Sequence, residues 1–432
     1  MTFSVHTLGC KVNQYESNAV SGIFIDNGAT IVSDNEKADV YIINTCAVTE
    51  ESVRKSRQMI RRAKRKNPDS IVAVCGCASQ TEPDFAALLP EADIVLGNKD
   101  KARIYEYVMR FLQDHERIVD IPEIEKETCF EKMNSERIGT TRAALKVQDG
   151  CNNFCSYCII PFARGRIRSR DLDESVSEAE SLVSGGCSEI VLAGIHLDNY
   201  GKDLGTCDLC DLLERLGKID GLERVRLGSL EPVFITEKNV ERMKNVKNLC
   251  HHFHLSLQSG CKKTLRDMNR HYTPDEFAAA VSLLRKTFPD CAITTDIITG
   301  FPGETEEDFL ESMAFAVKMR FEKVHVFPYS ERRGTRASQM DGKLPKDVKE
   351  ERCRRMINAC KDSEESFYKR LVGKEISVLF ETEKDGIYTG HSPEYAEISA
   401  PCNRDIRNLI FTVKVTQASA DKAMGEVVSD KP

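Results

Sequence analysis

No apolar run in the 432-residue chain approaches the roughly 18 residues that cross a bilayer, and the opening MTFSVHTLGC has no cationic stretch ahead of a long apolar one. No membrane partner and no export signal are expected, so the chain reads as cytoplasmic. Low-complexity sequence is also missing. With 41% hydrophobic and 30% charged residues, 25 Gly and 14 Pro, the composition excludes global disorder. Positive charge is not in excess either: 61 Lys and Arg stand against 68 Asp and Glu, a net −7, so bulk charge gives a polyanion no attraction. The glycines of TDIITGFPGET fit neither a dinucleotide fingerprint nor a phosphate loop.

What the chain has in abundance is cysteine, 17 residues in a protein large enough to bury a core without covalent staples. In a reducing compartment these are metal ligands or small core residues sooner than disulfides. A local exception to the acidic balance lies between Arg54 and Lys66, with eight basic residues and no acid. Arg54, Arg57, Arg61 and Arg65 recur at helical spacing, which suits either an RNA-contacting face or an ordinary solvated one.

Hydrophobic periodicity divides the chain into three units. Residues 1–120 alternate strand and helix, with strand runs at 3–8, 39–45, 70–74 and 93–96 and helices at 15–27, 50–66 and 101–112, which predicts an α/β domain with a mostly parallel sheet. Residues 121–141 are charged and aperiodic, a connector. From 142 to 370 six strand runs alternate with helices such as 172–184 and 274–287. That pattern fits a partial α/β barrel, and a doubly wound open sheet has the same one-dimensional signature. After a polar helix at 346–371, residues 371–432 switch to two-residue alternation with DG, SPEY and APCN turns, predicting a small all-β barrel. That last unit has seven basic and ten acidic residues, so RNA contact there depends on a few placed groups.

The strongest local feature is Cys151, Cys155 and Cys158 in a C-x3-C-x2-C array. Thiolates so close together converge on one metal centre, iron-sulfur or zinc by their softness. A zinc reading needs a fourth ligand, for which His196, Cys207 or Cys210 are available. Cys10, Cys46 and Cys77 are 36 and 31 residues apart, useless as a finger spacing, yet each follows a predicted parallel strand. Loops at that edge of a sheet meet in one crevice, so shared ligation and separate burial both remain open.

The array and the Gly- and Arg-rich segment at 161–170 closely resemble the radical S-adenosylmethionine enzymes, and among them the methylthiotransferase family. HTLGCKVNQYES, INTCAVT, CGCASQ, HLSLQSG, TDIITGFPGET and VFPYS extend the resemblance over essentially the whole chain, to a C-terminal TRAM barrel. The resemblance implies a [4Fe-4S] cluster on Cys151, Cys155 and Cys158 that binds S-adenosylmethionine at an open iron and cleaves it to a deoxyadenosyl radical. It implies a second [4Fe-4S] cluster on Cys10, Cys46 and Cys77; Cys75 competes as a ligand, but its place at the end of a strand and not in the loop favours packing in the core. TLGCKVNQ resembles the branch that methylthiolates C2 of threonylcarbamoyladenosine 37, beside the tRNA anticodon. An electron donor such as flavodoxin or ferredoxin and a source of sulfur are implied partners. Rival readings are methylthiolation of isopentenyladenosine, of a ribosomal-protein aspartate, or a nonenzymatic iron-sulfur RNA-binding protein.

Candidate cofactor contacts stand at strand ends: Gly194 and His196, then Arg226, Ser229 and Glu231, with Glu231 holding ribose or orienting Arg226, then Gln258, then Asp296 and Gly300, then Phe327 and Tyr329 against adenine. Glu304 is expected to cap the following helix. Arg164, Arg166, Arg168 and Arg170 are expected to bring at least one guanidinium to phosphate or to the methionine carboxylate. Asn13, Gln14 and Asn44 flank Cys10 and Cys46 and suit either sulfur contacts or loop fixing. The TRAM unit is expected to add tRNA affinity and to be separable from the radical core.

Overall fold

The computed structural model describes residues 1–82, 84–134 and 141–430; residues 135–140 of the expected connector and 431–432 of the last unit lie outside the described residues. In the first unit, β1 (Thr2–Thr7), β2 (Thr30–Ile31), β3 (Val40–Thr45), β4 (Ile71–Gly76), β5 (Ile94–Leu96) and β6 (Ile118–Asp120) form one parallel sheet in the order β2-β1-β3-β4-β5-β6. Every residue of β3 and β4 is buried, as parallel strands covered on both faces must be. Alternation sends Val40 and Ile42 toward α1 (Lys11–Asp26), while Tyr41 and Ile43 pack against α2 (Glu50–Lys66). Helix α2 starts at Thr49, whose side chain and that of Ser52 form a reciprocal capping box. Helix α1 starts one turn earlier than periodicity suggested, with Cys10 as its N-cap.

The central unit is a six-stranded partial barrel. Strands β7 (Arg142–Lys146), β10 (Glu189–Ala193) and β11 (Arg224–Arg226) pair in parallel, as do β12 (His252–His254), β13 (Ala292–Thr299) and β14 (Lys323–Pro328). Bridges Val225↔Leu249 and Leu230↔Leu255 join the two sets, and a short hairpin of β8 (Gln148–Asp149) and β9 (Arg168–Ser169) flanks the loop after β7. Leu145, Ile190, Leu192, Phe253 and Ile293 pack outward on Leu182, Leu213, Leu216, Phe277 and Leu284 of the surrounding helices. Helices at Leu172–Ser184 and Pro274–Thr287 match the sequence reading residue for residue.

The last unit is a closed barrel of β15 (Glu375–Lys384), β16 (Ile387–His391), β17 (Glu397–Pro401), β18 (Ile410–Ala418) and β19 (Ala423–Asp430), ordered β15-β16-β17-β19-β18. Sequence alternation missed β19, whose run is interrupted by polar residues and Gly425. Among the described residues no helix is long and apolar enough to cross a membrane.

Candidate active site

The N-terminal sheet changes direction between β1 and β3, the place where open α/β sheets form a crevice beyond their carboxyl ends. Cys10 follows β1, Cys46 follows β3 and Cys77 follows the adjacent β4, so topology brings three distant cysteines to one edge. Gly9, at φ +107°, has no room for a side chain: a Cβ would stand 3.0 Å from the Cys46 sulfur and 3.2 Å from the Asn13 amide. Gly76, at φ +108°, passes the Asn44 side chain and the Thr45 carbonyl equally closely. Asn13 ties the loops together, donating from Nδ2 to the carbonyls of Leu8 (2.7 Å) and Thr45 (3.0 Å). Asn44 donates to the Asn13 carbonyl (3.0 Å) and the Ser17 hydroxyl (3.2 Å), so both asparagines fix the loops. Asn98, which sequence reasoning missed, donates to the Cys77 sulfur (3.4 Å) and the Ala163 carbonyl (2.8 Å). Burial raises the Cys46 thiol, and the Cys77 and Cys10 sulfurs push it further the same way, a sign that the three share one space. Cys75 lies within β4 among core side chains, and burial pushes its thiol to about 12.

Cys151, Cys155 and Cys158 occupy the loop between β8 and the short helix Ile160–Arg164. The Cys151 N–H donates to Gly165 O (3.0 Å), Ser156 N–H to Met268 O (2.9 Å), and Ala337 N–H to Ser156 O (2.7 Å), which clamps the loop to three later segments of the central unit. His196 Nδ1 lies 3.6 Å from the Cys151 sulfur, and Arg270 donates to the Cys155 sulfur (3.2 Å). Burial, then the Cys155 sulfur, raises the Cys158 thiol to about 12. All cysteines are free thiols, and among the described residues no three His, Cys, Asp or Glu side chains are close enough to hold one ion. Cys210 is buried in the helix Leu209–Leu216, and Cys207 sits just ahead of its N-cap. Three soft thiolates in each set are a donor set that fits an iron-sulfur group.

Predicted contacts fall into two groups. Gly194 and His196 follow β10, and the Gln148 side chain accepts the His196 N–H (2.7 Å). Of the two roles expected of Glu231, holding ribose or orienting Arg226, the second is not found: its carboxylate pairs through both oxygens with Arg270, and Glu231, Arg270 and His196 line one small recess beside the cysteine loop. Arg226 points away from it. It bonds Glu189 (2.7 Å) and donates to the carbonyls of Ser392 (3.1 Å) and Pro393 (2.9 Å) in the last unit. Gln258 bridges to β13 through the Asp296 carbonyl (2.8 Å), and the Asp296 carboxylate lies 3.4 Å from His254. Gly300 opens the turn after β13, where Glu304 accepts the N–H groups of Gly300 and Phe301; Thr305, not Glu304, caps the next helix. Phe327 is 47% exposed on β14, while Tyr329 is buried edge-on against Phe301, a wall behind the site.

Of the four alternating arginines, three are consumed internally. Arg164 is fully buried between Glu16 (2.8 Å), Asp149 (3.1 Å) and Asn13 (2.6 Å), and Arg170 pairs with Glu178. Arg168 lies near Asp149, and Arg166 alone is exposed, over the Phe154 ring. The α2 face is also partly neutralised, Arg54 by Glu51, Arg57 by Glu82 and Arg61 by Glu91, leaving Arg62, Arg65 and Lys66 without an ion pair among the described residues.

Between the inner wall of the partial barrel and the last unit lies a cavity of about 460 Å³, which Lys11 of α1 also reaches. Lys11, Arg142, Arg226, Ser229 and His254 line its wall, and the loop carrying Tyr395 forms its floor. Tyr395 stacks on His391 (4.5 Å) and His252 (5.0 Å), with Arg226 and Arg142 over its ring.

Residues 2–97 match the family described as Uncharacterized protein family UPF0004, and residues 145–316 match the Radical SAM superfamily. The chain is 38% identical to the threonylcarbamoyladenosine tRNA methylthiotransferase MtaB of Bacillus subtilis over 99% of this chain and 96% of that one. It is 33% identical to the tRNA-2-methylthio-N(6)-dimethylallyladenosine synthase of Caldicellulosiruptor saccharolyticus over 99% and 92%. The fold is shared with the radical S-adenosylmethionine methyltransferase TsrM of Kitasatospora setae, at a TM-score of 0.57 and 14% identity over 84% of this chain and 89% of that one. With both halves matched in order and full-length relatives on both sides, the chain belongs to the radical S-adenosylmethionine methylthiotransferase family.

Proposed function

We propose that this enzyme methylthiolates C2 of threonylcarbamoyladenosine 37 in tRNA, using one [4Fe-4S] cluster on Cys151, Cys155 and Cys158 and a second on Cys10, Cys46 and Cys77. The observation that carries the reading is the pairing of two thiol triads on neighbouring strand-end loops, tied to each other by Asn98 on the Ala163 carbonyl and Arg164 on the Asn13 side chain. Relatives of the threonylcarbamoyl branch stand at 35 to 39% identity and those of the dimethylallyl branch at 33 to 35%, and the higher upper end supports the choice of base.

When bound, the cluster and S-adenosylmethionine supply the radical chemistry that an unactivated aromatic C–H bond needs. The chain's own part is to position and to exclude water. Asn13, Asn44 and Asn98 hold the N-terminal thiol loops, so sulfur is presented at one place. Arg270, steadied by Glu231, sets a fixed positive charge against the Cys155 sulfur, and His196 stands by Cys151. Gly194, Ser229, Gln258, Asp296, Gly300 and Phe327 offer backbone and polar edges to the adenosyl and methionine groups. The Tyr395 loop lines the far end of the cavity. A small redox protein such as flavodoxin or ferredoxin delivers electrons, and a separate donor replaces the sulfur consumed.

Mass spectrometry of tRNA from cells lacking the protein tests the assignment. The methylthio mark should vanish while threonylcarbamoyladenosine remains; an unchanged mark rejects it. Loss of the mark from isopentenyladenosine instead would move the enzyme to that branch.

A further inference from the structure

We propose that Lys11 reads the N6 substituent of the substrate base, its ammonium pairing with the carboxylate that a threonylcarbamoyl group carries and a dimethylallyl group lacks. The inference rests on the threonylcarbamoyladenosine reading and deepens it.

Lys11 is the first residue of α1 and immediately follows Cys10. It lines the 460 Å³ cavity and also a neighbouring one of about 260 Å³, and Arg142 and Val191 are shared between them. The other lysine and arginine side chains of the large cavity are already answered. Arg142 pairs with Glu381 (2.9 Å), Arg226 with Glu189 (2.7 Å) and Lys323 with Glu364. Lys11 has no ion pair or side-chain hydrogen bond among the described residues, and it is exposed. The ring nitrogens of His252 and His325 add no competing charge, because burial holds both imidazoles below their usual range.

Helix stability does not account for a lysine here. The first turn of a helix carries the positive end of its dipole, and a cation there is unfavourable. Helix α1 has no acidic residue in that turn to offset it, so the position costs stability and asks for an anion from outside the chain.

The chemistry of the base places that anion. C2 and C6 of adenine are both bonded to N1, so a ring that turns C2 toward the sulfur site turns its N6 substituent toward the residues beside it. With sulfur presented at Cys10, Cys46 and Cys77, the residue next to Cys10 is where a carboxylate on that substituent arrives.

The test uses full-length protein with both clusters reconstituted, without reductant, and anticodon stem-loops bearing threonylcarbamoyladenosine, isopentenyladenosine or unmodified adenosine. Wild type should bind the threonylcarbamoyl RNA more tightly than the unmodified one. Lys11→Gln should lose about tenfold or more of that preference, the worth of a charge-assisted hydrogen bond, while Lys11→Arg retains most of it. Under turnover the same loss should appear as a raised KM for the threonylcarbamoyl RNA. An unchanged preference in Lys11→Gln overturns the inference, and equal weakening toward all three RNAs overturns it in favour of a phosphate contact. If wild type prefers and methylthiolates the isopentenyl RNA, the functional reading itself has failed, an outcome visible before any variant is compared.

Discussion

Replacing Glu16 by glutamine should unhinge the seam between the N-terminal domain and the radical core. Glu16 is 1% exposed, and its carboxylate receives Lys101, Lys146 (2.7 Å) and Arg164 (2.8 and 3.1 Å). Lys146 and Arg164 keep a second carboxylate, Asp149, at 2.6 and 3.1 Å. Lys101 has no other ion pair among the described residues and is fully buried. Glu16→Gln therefore strands one ammonium in the interior, a loss of about 3–5 kcal/mol, or a fall in melting temperature of roughly 10 °C. Adding Lys101→Met removes the stranded charge and should recover at least half of the loss. The dependence on pH has a definite sign. Burial would raise the Glu16 carboxyl, but Arg164, Lys101 and Lys146 outweigh it and hold it well below the usual carboxylate range. Its contribution is therefore constant above about pH 5 and begins to fade on acidification below about pH 4, so the gap between wild type and variant should narrow there. Thermal melts of both variants from pH 8 to pH 3.5 make the measurement. A loss under about 1 kcal/mol at pH 7, or a double variant no better than the single one, would refute the argument.

Two further outcomes follow from the same geometry. Triple Ala variants of Cys151, Cys155 and Cys158, and of Cys10, Cys46 and Cys77, should each lose half the bound iron by chemical analysis and Mössbauer spectroscopy; only the first should abolish deoxyadenosine formation, and equal loss of both clusters in either would defeat the two-site reading. Truncation after Leu371 should lower tRNA affinity and also destabilise the core, because Arg224 and Arg226 lose the carbonyls of His391, Ser392 and Pro393; a truncated core that melts with wild type would show that those contacts carry little.

Some of this protein was legible in one dimension because the signal is local. The C-x3-C-x2-C array works at any tertiary arrangement that keeps its loop intact, and strand-helix alternation marks a parallel sheet from apolar period alone. Cys10, Cys46 and Cys77 could be grouped because parallel strands send their following loops to a common edge. Charge was a different matter. Arg164, Arg166, Arg168 and Arg170 look alike in sequence, and only packing decided that Arg164 and Arg170 are interior cations bonded to Glu16 and Glu178 while Arg166 is exposed. Glu231 and Arg226 are five residues apart, yet one turns to Arg270 at the cysteine loop and the other to the TRAM floor, since they stand at opposite ends of one barrel wall. A carboxylate at Glu16, on the same helix face as Val12 and Ala19, was the one visible hint of the buried network. The partners that make that network tolerable come from residues 85 to 148 positions away, and separations of that kind are set by the fold, because no local preference can specify them.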